Sequence, residues 1–397
     1  MRVLFCTTGG LGHLLPLRPL AAALRDRGHD IAWATAPDAL PALEGLGCTL
    51  FAVGPTFEAS RLRFRAACPE ATRLTGEPLA DYTFPRLFGA VLAPAMLDGI
   101  DAAARHWRPD FVVHEPAALA VPLVCSRLGL RHVVHGYGLR PPAAYLAAAM
   151  SFFGPHWRSR GLEPPADGGL YRHLGLDIAP EGLQPGCGLP AQAVVRCNVY
   201  RPASAPASTL PPGLGAALHA GAQKGPRIYV TFGTVYNHSP ALTAAARAAA
   251  QLGATVCVTV GANGDPGPLA AIGPHVHVHR FVEQCALLPH CDAVVSHGGA
   301  GTTLGAAAHA LPHLVLPQAA DHFRNARAIA AAHAGCTVEA GRQHVDGVAA
   351  ALSALLVDRT LRAGAQALAA EMGAMPDAAA AADRLERWQI AGRRAAG

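Results

Sequence analysis

Apolar positions along this chain cluster in short continuous runs rather than alternating with polar ones. RVLFCTT (2–8), DIAWATA (30–36), FVVHE (111–115) and HVVHG (132–136) read as strands, separated by helical stretches such as LLPLRPLAAALRDRGH. Strands apolar on both faces and joined by helices indicate a parallel sheet covered on both sides. The rhythm restarts at RIYVTFG and runs on through ALTAAARAAAQLG, TVCVTVG, HVHVHRF, DAVVSHG and HLVLPQA. The pattern predicts an α/β protein of two doubly wound, Rossmann-like domains facing each other across a cleft. The first spans 1–205 and the second 225–375. Between them RPASAPASTLPPGLGAALHAGAQKG marks a linker, placed at 206–224, and a last helix over 376–397 is long enough to reach back to the first domain. Two segments break the rhythm, Gly54–Leu97 and Pro141–Pro190. Long excursions beyond strand ends build the substrate pocket in such sheets.

Composition narrows the class. A chain of 397 residues, 51% hydrophobic and 15% charged, is a packed globular protein with room for two cores. Its formal charge of +5 comes without a basic stripe interleaved with aromatics, so nucleic acid is not an expected partner. Arg61, Arg63 and Arg65 read as a solvated face. Apolar runs such as AVLAPAML read as too short and interrupted to span a bilayer, so no integral membrane segment is expected. The N-terminus enters a strand without a signal peptide, and the ten cysteines are scattered with no CxxC pair. Reduced thiols in a cytoplasmic protein are the expectation.

Two glycine loops carry the candidate chemistry. TTGGLGHLLP follows the first strand and opens a helix. Its glycines do not form GxGxxG, and the second strand ends in Ala34–Thr35–Ala36–Pro37 without an acidic ribose ligand, which argues against NAD or FAD. His13 lies at the carboxyl edge of the sheet, where open α/β domains place ligands. A neutral imidazole there can take the proton of an attacking hydroxyl, or it merely caps and packs. Glu115 ends another strand at the same edge and can orient that ring, whereas Asp110 begins the strand and falls at the wrong end. SHGGAGTT leaves a strand and enters a helix. Small residues admit a ligand to backbone N–H groups at a helix N-terminus, and His297, Thr302 and Thr303 add donors, which suits a pyrophosphate. GxxxxGK[ST] is absent. Asp321 and His322, with Asn325 one turn on, follow a further strand; Asp321 can accept from sugar hydroxyls or serve as an N-cap. His275, His277 and His279 share a strand face without a carboxylate or cysteine at ligand spacing, so no metal site is expected.

Together these segments closely resemble the inverting GT-B nucleotide-sugar glycosyltransferases, most nearly the actinobacterial enzymes that decorate polyketide, enediyne and related antibiotics. The strongest signature is RFVEQCALLPHCDAVVSHGGAGTTLGAAAHALPHLVLPQAADHFRNAR, over 280–327, supported by TTGGLGHLLPL. The resemblance implies that His13 is the general base and Glu115 its partner. It implies a base-binding backbone at Phe281 and Val282 and a phosphate site at His297, Gly299, Ala300, Gly301 and Thr302. Thr234 faces the phosphates or the donor sugar, and Asp321 and His322 the sugar. Users of uridine diphosphate commonly carry a ribose-gripping glutamate where this chain has Gly305. Many relatives have Asp–Gln where it has Asp321–His322. Both departures point to a dTDP-deoxysugar as co-substrate, with no other cofactor. No metal is expected, because no DxD-like cluster stands beside the phosphate loop. The implied acceptor is a hydrophobic or aromatic aglycone, lined by the segments near Phe57–Phe88 and Tyr137–Trp157. A homodimer and an auxiliary protein are compatible with this reading. The rival readings are a sugar-nucleotide epimerase on the same scaffold and a non-catalytic escort protein; the presence of both His13 and Glu115 favours transfer.

Overall fold

In the computed structural model, residues 1–185, 193–200, 210–262 and 264–396 are described. The chain divides into two units: Met1–Ala179 with Gly186–Val199 and Pro376–Gly397, and Pro180–Pro185 with Tyr200–Met375. The first holds β1 (Arg2–Cys6), β2 (Asp30–Thr35), β3 (Thr49–Ala52), β4 (Phe111–His114), β5 (His132–His135), β6 (Leu174–Asp177) and β7 (Ala193–Arg196). These pair in parallel as one sheet of order β3-β2-β1-β4-β5-β6-β7. The second holds β8 (Arg227–Thr231), β9 (Thr255–Thr259), β10 (Val276–His279), β11 (Ala293–Ser296), β12 (His313–Val315) and β13 (Gly335–Thr337). Its parallel order is β10-β9-β8-β11-β12-β13.

Both sheets wind outward from their first strand and then reverse. The reversal falls between β1 and β4 in the first unit and between β8 and β11 in the second. Loops leaving the carboxyl ends of those four strands flank the crevices where such sheets bind ligands. The central strands are buried on both faces: Val3, Leu4, Phe5 and Cys6 are fully covered, as are Ile228 and Val230. This burial explains their unbroken apolar runs.

Two expectations are corrected. The segment Gly76–Trp107 is one helical run, long and apolar enough by length and composition to cross a membrane. A π-helical stretch, Pro85–Leu92, joins its two α-helical parts across the prolines that appeared to interrupt it. Met96, Leu97, Ile100, Ala103 and Ala104 of this run pack into the core of the first unit. At Gly89 a Cβ would come within 2.5 Å of the Ala149 carbonyl oxygen, so only glycine lets the helix Ala143–Arg158 approach so closely. The second correction concerns the linker at 206–224. In its described part, 210–224, lies a helix, Leu214–Gly221, whose Leu214 and Leu218 are buried against Tyr229 and Val294.

The C-terminal helix Ala378–Ala396 is part of the first unit. Ala381, Ala382 and Leu385 are fully buried. Glu386 receives the Arg27 guanidinium at 2.5 and 2.8 Å and stands 2.6 Å from His29 Nε2. Hydrogen bonding from Arg27 holds the Glu386 carboxyl down to about 2.

Candidate active site

Beyond β1 the chain passes through Thr7 and Thr8 to Gly9 and Gly10, then enters the one-turn helix Leu11–Leu14. A Cβ on Gly9 would lie 2.6 Å from the Ala36 Cβ, and one on Gly10 3.0 Å from His13 Cδ2. The glycines therefore serve close approach: they allow the His13 ring to fold back over the loop. Glu115 follows β4 and is fully buried. Its Oε1 accepts from the Thr8 N–H at 3.1 Å and the Thr8 hydroxyl at 2.9 Å, and its Oε2 from the Ala117 N–H. Oε2 also stands 3.3 Å from His13 Nδ1. Burial alone would raise the Glu115 pKa. The neighbouring His13, together with the hydrogen bonds from His13, Thr8 and Ala117, brings it below the usual carboxylate range. A carboxylate facing Nδ1 selects the Nδ1–H tautomer of His13 and leaves Nε2 as the basic nitrogen. Asp110 accepts from the Arg2 N–H at the amino end of the same sheet, away from this pair.

Two aromatic rings neighbour the His13 ring. Tyr137 lies 4.3 Å from it, centroid to centroid, and Phe88 5.4 Å. From Phe88 the row continues to Phe84 at 4.9 Å and Tyr145 at 5.4 Å, and the Tyr145 hydroxyl meets Asp81. Phe84 and Phe88 come from the first excursion named above and Tyr145 from the second, each on a helical stretch, while Tyr137 lies just before the second. Thr8 and Ala117 were not singled out from the sequence, whereas the ring neighbours fall in the two segments expected to line the acceptor. Thr8 was legible from its place at a strand end, whereas the packing of Tyr137 and Phe88 against His13 depends on tertiary folding.

In the second unit, β11 ends at Ser296 and the loop His297–Gly299 leads into the helix Ala300–Ala308. Gly299 is the N-cap and no side chain caps the helix, so the first N–H groups, of Ala300, Gly301 and Thr302, lack intrahelical acceptors. Gly298 has φ +87°, and a Cβ there would lie 2.7 Å from Val315 Cγ1. The loop after β8 comes to the same place. A Cβ on Gly233 would lie 3.0 Å from the His297 ring, and the neighbouring Thr234 is exposed. His297 and His322 pack edge to face at 4.4 Å. Burial drives His297 well below the usual imidazole pKa and His322 down to about 3, so both rings are neutral. His322 Nδ1 accepts from the Ala319 N–H at 3.1 Å, which makes its Nε2 the protonated nitrogen.

Several site expectations shift in detail. Thr303 is buried and lines a small pocket with Ala306, Leu311 and Ile329, whereas Thr302 accepts from Gln284 Nε2 at 3.3 Å. Asp321 is the N-cap of the helix His322–Ala331 but makes no capping bond. Its Oδ2 accepts from Asn325 Nδ2 at 2.9 Å, and Asn325 also donates to the Gly298 carbonyl at 2.8 Å. Phe281 is 68% exposed, while the Val282 side chain is buried beside Leu287 and Leu288. Gly305 is buried, and a Cβ there would lie 3.1 Å from both Gln284 Oε1 and Leu288 Cδ1. The loop before Asp321 is held by Gln318, which accepts from the Ser239 hydroxyl at 2.8 Å and donates to Gln343 at 2.7 Å; the sequence did not reveal this clamp. His275, His277 and His279 are half-buried on and beside the edge strand β10. Among the described residues no group of three or more His, Cys, Asp or Glu could hold a metal ion.

The chain matches the N-terminal domain of erythromycin biosynthesis protein CIII-like proteins over residues 22–193 and their C-terminal domain over 244–388. It is 32% identical over 396 residues to the L-demethylnoviosyl transferase of Streptomyces niveus, covering 98% of each chain. It is 33% identical over 395 residues to the elloramycin glycosyltransferase ElmGT of Streptomyces olivaceus, covering 97% of each. Among solved structures it is similar to the Streptomyces sp. SF2575 glycosyltransferase SsfS6 complexed with thymidine diphosphate. That match has a TM-score of 0.74 and 26% identity, and covers 98% of this chain and 99% of the other. With the paired sheets and the two crevice loops, these matches show that the chain is a GT-B glycosyltransferase of natural-product sugar attachment and belongs to the erythromycin CIII-like family.

Proposed function

We propose that the protein transfers a deoxysugar from a dTDP-sugar to a hydroxyl of a hydrophobic or aromatic aglycone, with inversion at the anomeric carbon. The observation that carries the reading is the His13–Glu115 pair, 3.3 Å apart at the first strand reversal. His13 Nε2 takes the hydroxyl proton as the acceptor oxygen attacks the anomeric carbon. The ionised Glu115 holds the ring and offsets the charge it gains. The dTDP leaving group separates from the opposite face of that carbon, so one displacement inverts the configuration.

Charge on the departing diphosphate is met by the uncapped helix N-terminus at Ala300, Gly301 and Thr302, beside His297. Thr234 on the adjoining loop reaches the phosphates or the sugar, and Asp321 and His322 its hydroxyls. The Phe281–Val282 backbone lies under the nucleobase. Protein dipoles serve in place of a metal. The preference for thymidine rests on Gly305, which offers no carboxylate to grip both ribose hydroxyls; a Cβ there would already lie 3.1 Å from Gln284 Oε1 and Leu288 Cδ1. The solved relative that holds thymidine diphosphate supports it. The row Tyr137, Phe88, Phe84 and Tyr145 supports a flat apolar acceptor on the first unit.

Separate calorimetric titrations with dTDP and UDP test the donor. Tighter binding of dTDP is expected, and tighter binding of UDP overturns the Gly305 argument. If neither binds, the phosphate site is refuted.

A further inference from the structure

Directly beneath Glu115 lies a feature the proposed transfer leaves unused, a file of three imidazoles inside the first unit. His114, the last residue of β4, and His132, the first of β5, are both buried; His173, just before β6, is half-buried. His114 Nδ1 lies 3.1 Å from the Glu115 carbonyl oxygen, and His114 Nε2 lies 3.0 Å from His132 Nδ1. The His132 ring meets the His173 ring edge to face at 4.7 Å, and the His132 N–H donates to His173 Nδ1 at 3.4 Å.

The tautomers follow from these contacts. A carbonyl oxygen only accepts, so His114 Nδ1 carries a proton. In a neutral ring its Nε2 then carries none and must accept, so His132 Nδ1 is the donor. His132 Nε2 is left bare, and it is a buried nitrogen with no hydrogen-bond partner. All three rings are neutral: burial pushes His114 and His173 down to about 4 and His132 to about 2. Three apolar side chains would fill the same space without an orphaned nitrogen, so packing alone does not account for the file.

We infer that His114 is a positioning residue for the Glu115–His13 pair and that His132 holds it in the tautomer that does this work. The Glu115 carbonyl accepts from His114 on one side and from the Ala118 N–H at 3.1 Å on the other. Two donors on one oxygen fix the peptide plane from which the Glu115 side chain leaves. The carboxylate is thereby held at the distance His13 requires. Without His132, the His114 ring is free to take the Nε2–H tautomer, which turns a bare nitrogen towards the carbonyl and releases it.

The inference rests on the transfer reading for its kinetic arm but not for its spectroscopic one. His114→Asn keeps an N–H donor where Nδ1 stands, whereas His114→Leu removes it. A positioning role predicts that the leucine variant loses at least tenfold in kcat with an unchanged KM for the sugar nucleotide. The asparagine variant recovers most of that loss despite an equal or lower Tm. His132→Leu is expected to lose several-fold in kcat. A purely structural role reverses the first order, with leucine at or above asparagine in both kcat and Tm, and that result overturns the inference. The second arm reads the ring nitrogens by long-range 1H–15N correlation spectra of histidine-labelled protein, with His114→Asn used for assignment. Protonated Nδ1 on both His114 and His132 is expected, and a His114 proton on Nε2 refutes the inference. A wild type that transfers no sugar refutes the transfer reading, while the spectra still decide the tautomers.

Discussion

The two strand reversals share a topology and differ in every side chain that matters. Between β1 and β4 the first unit presents an ionised carboxylate against an imidazole, wired by Thr8 and Ala117. Between β8 and β11 the second presents small residues, bare backbone N–H groups and histidines kept neutral by burial. A group that must accept a proton needs a buried negative partner to stabilise the charge it acquires. A group of donors that must meet an anion needs bare N–H groups facing it, and here the nearby Asp321 carboxylate is engaged by Asn325 Nδ2. The same backbone frame therefore hosts opposite electrostatics, and the side chains at a few loop positions select which.

The comparison breaks most sharply at His13. His13→Ala is expected to lower the transfer rate by about 10²–10⁴-fold and to leave the dTDP affinity by calorimetry unchanged. Retained transfer would falsify the assigned base. Glu115→Gln is expected to cost about a hundredfold in kcat by the same logic of ring orientation. Its amide N–H₂ also meets a backbone N–H head-on at Thr8 or Ala117, and a lower Tm, by the equivalent of about 1–3 kcal/mol, should accompany it.

In the second unit the order of effects inverts. Gly298→Ala forces a Cβ into the left-handed region at φ +87° and against Val315. Nucleotide affinity should fall about tenfold, with about 1–3 kcal/mol of stability lost, while a histidine-selective spectrum of the His13 region stays as in the wild type. Equal loss at both sites would mean that the loops do not act separately.

The smallest effect is on acid stability. His313 and His322 have folded pKa values of about 3, below the ordinary imidazole value of 6.5. The unfolded chain thus binds protons that the folded chain refuses, and stability declines as the pH falls through 6.5, levelling off near 3. Buried His114 and His135, at about 4, add to the same decline. Glu115 acts in a lower window: its contribution is complete above the ordinary carboxylate pKa and is lost as the pH falls through its depressed folded value. Between pH 6.5 and 4.5 the loss therefore belongs to the histidines. His322→Gln should make the fall shallower by up to about 1.4 kcal/mol per pH unit. Chemical denaturation at a series of pH values measures this, and an unchanged slope would show that His322 is not held neutral.

Legibility tracked how local each signal was. The central strands were readable because their apolar runs are unbroken; β3, β6, β7 and β13 were not. LGLD and GCT carry too few apolar positions to mark a strand until neighbours pair with them. The proline of AVLAPAML suggested an interrupted segment, yet tertiary packing against the helix Ala143–Arg158 sustains one helical run. Alanine and leucine at 214–221 were masked by flanking proline and glycine, and burial against the second core makes that stretch a helix.

By itself the sequence determined the parallel α/β class and the two glycine loops at strand ends, and it placed His13 and Glu115 at the same edge of one sheet. Each of these follows from a few adjacent residues and the period of the apolar runs. Only the tertiary structure decided which groups complete the site. Thr8 reaches Glu115 because β1 and β4 are neighbours at a strand reversal, although 107 positions separate the two residues in the chain; Ala117, two residues on, adds a local donor. Burial, and not residue type, keeps His297, His322, His114 and His132 uncharged. Solvent exclusion is a property of the folded neighbourhood, and no local stretch of sequence contains it.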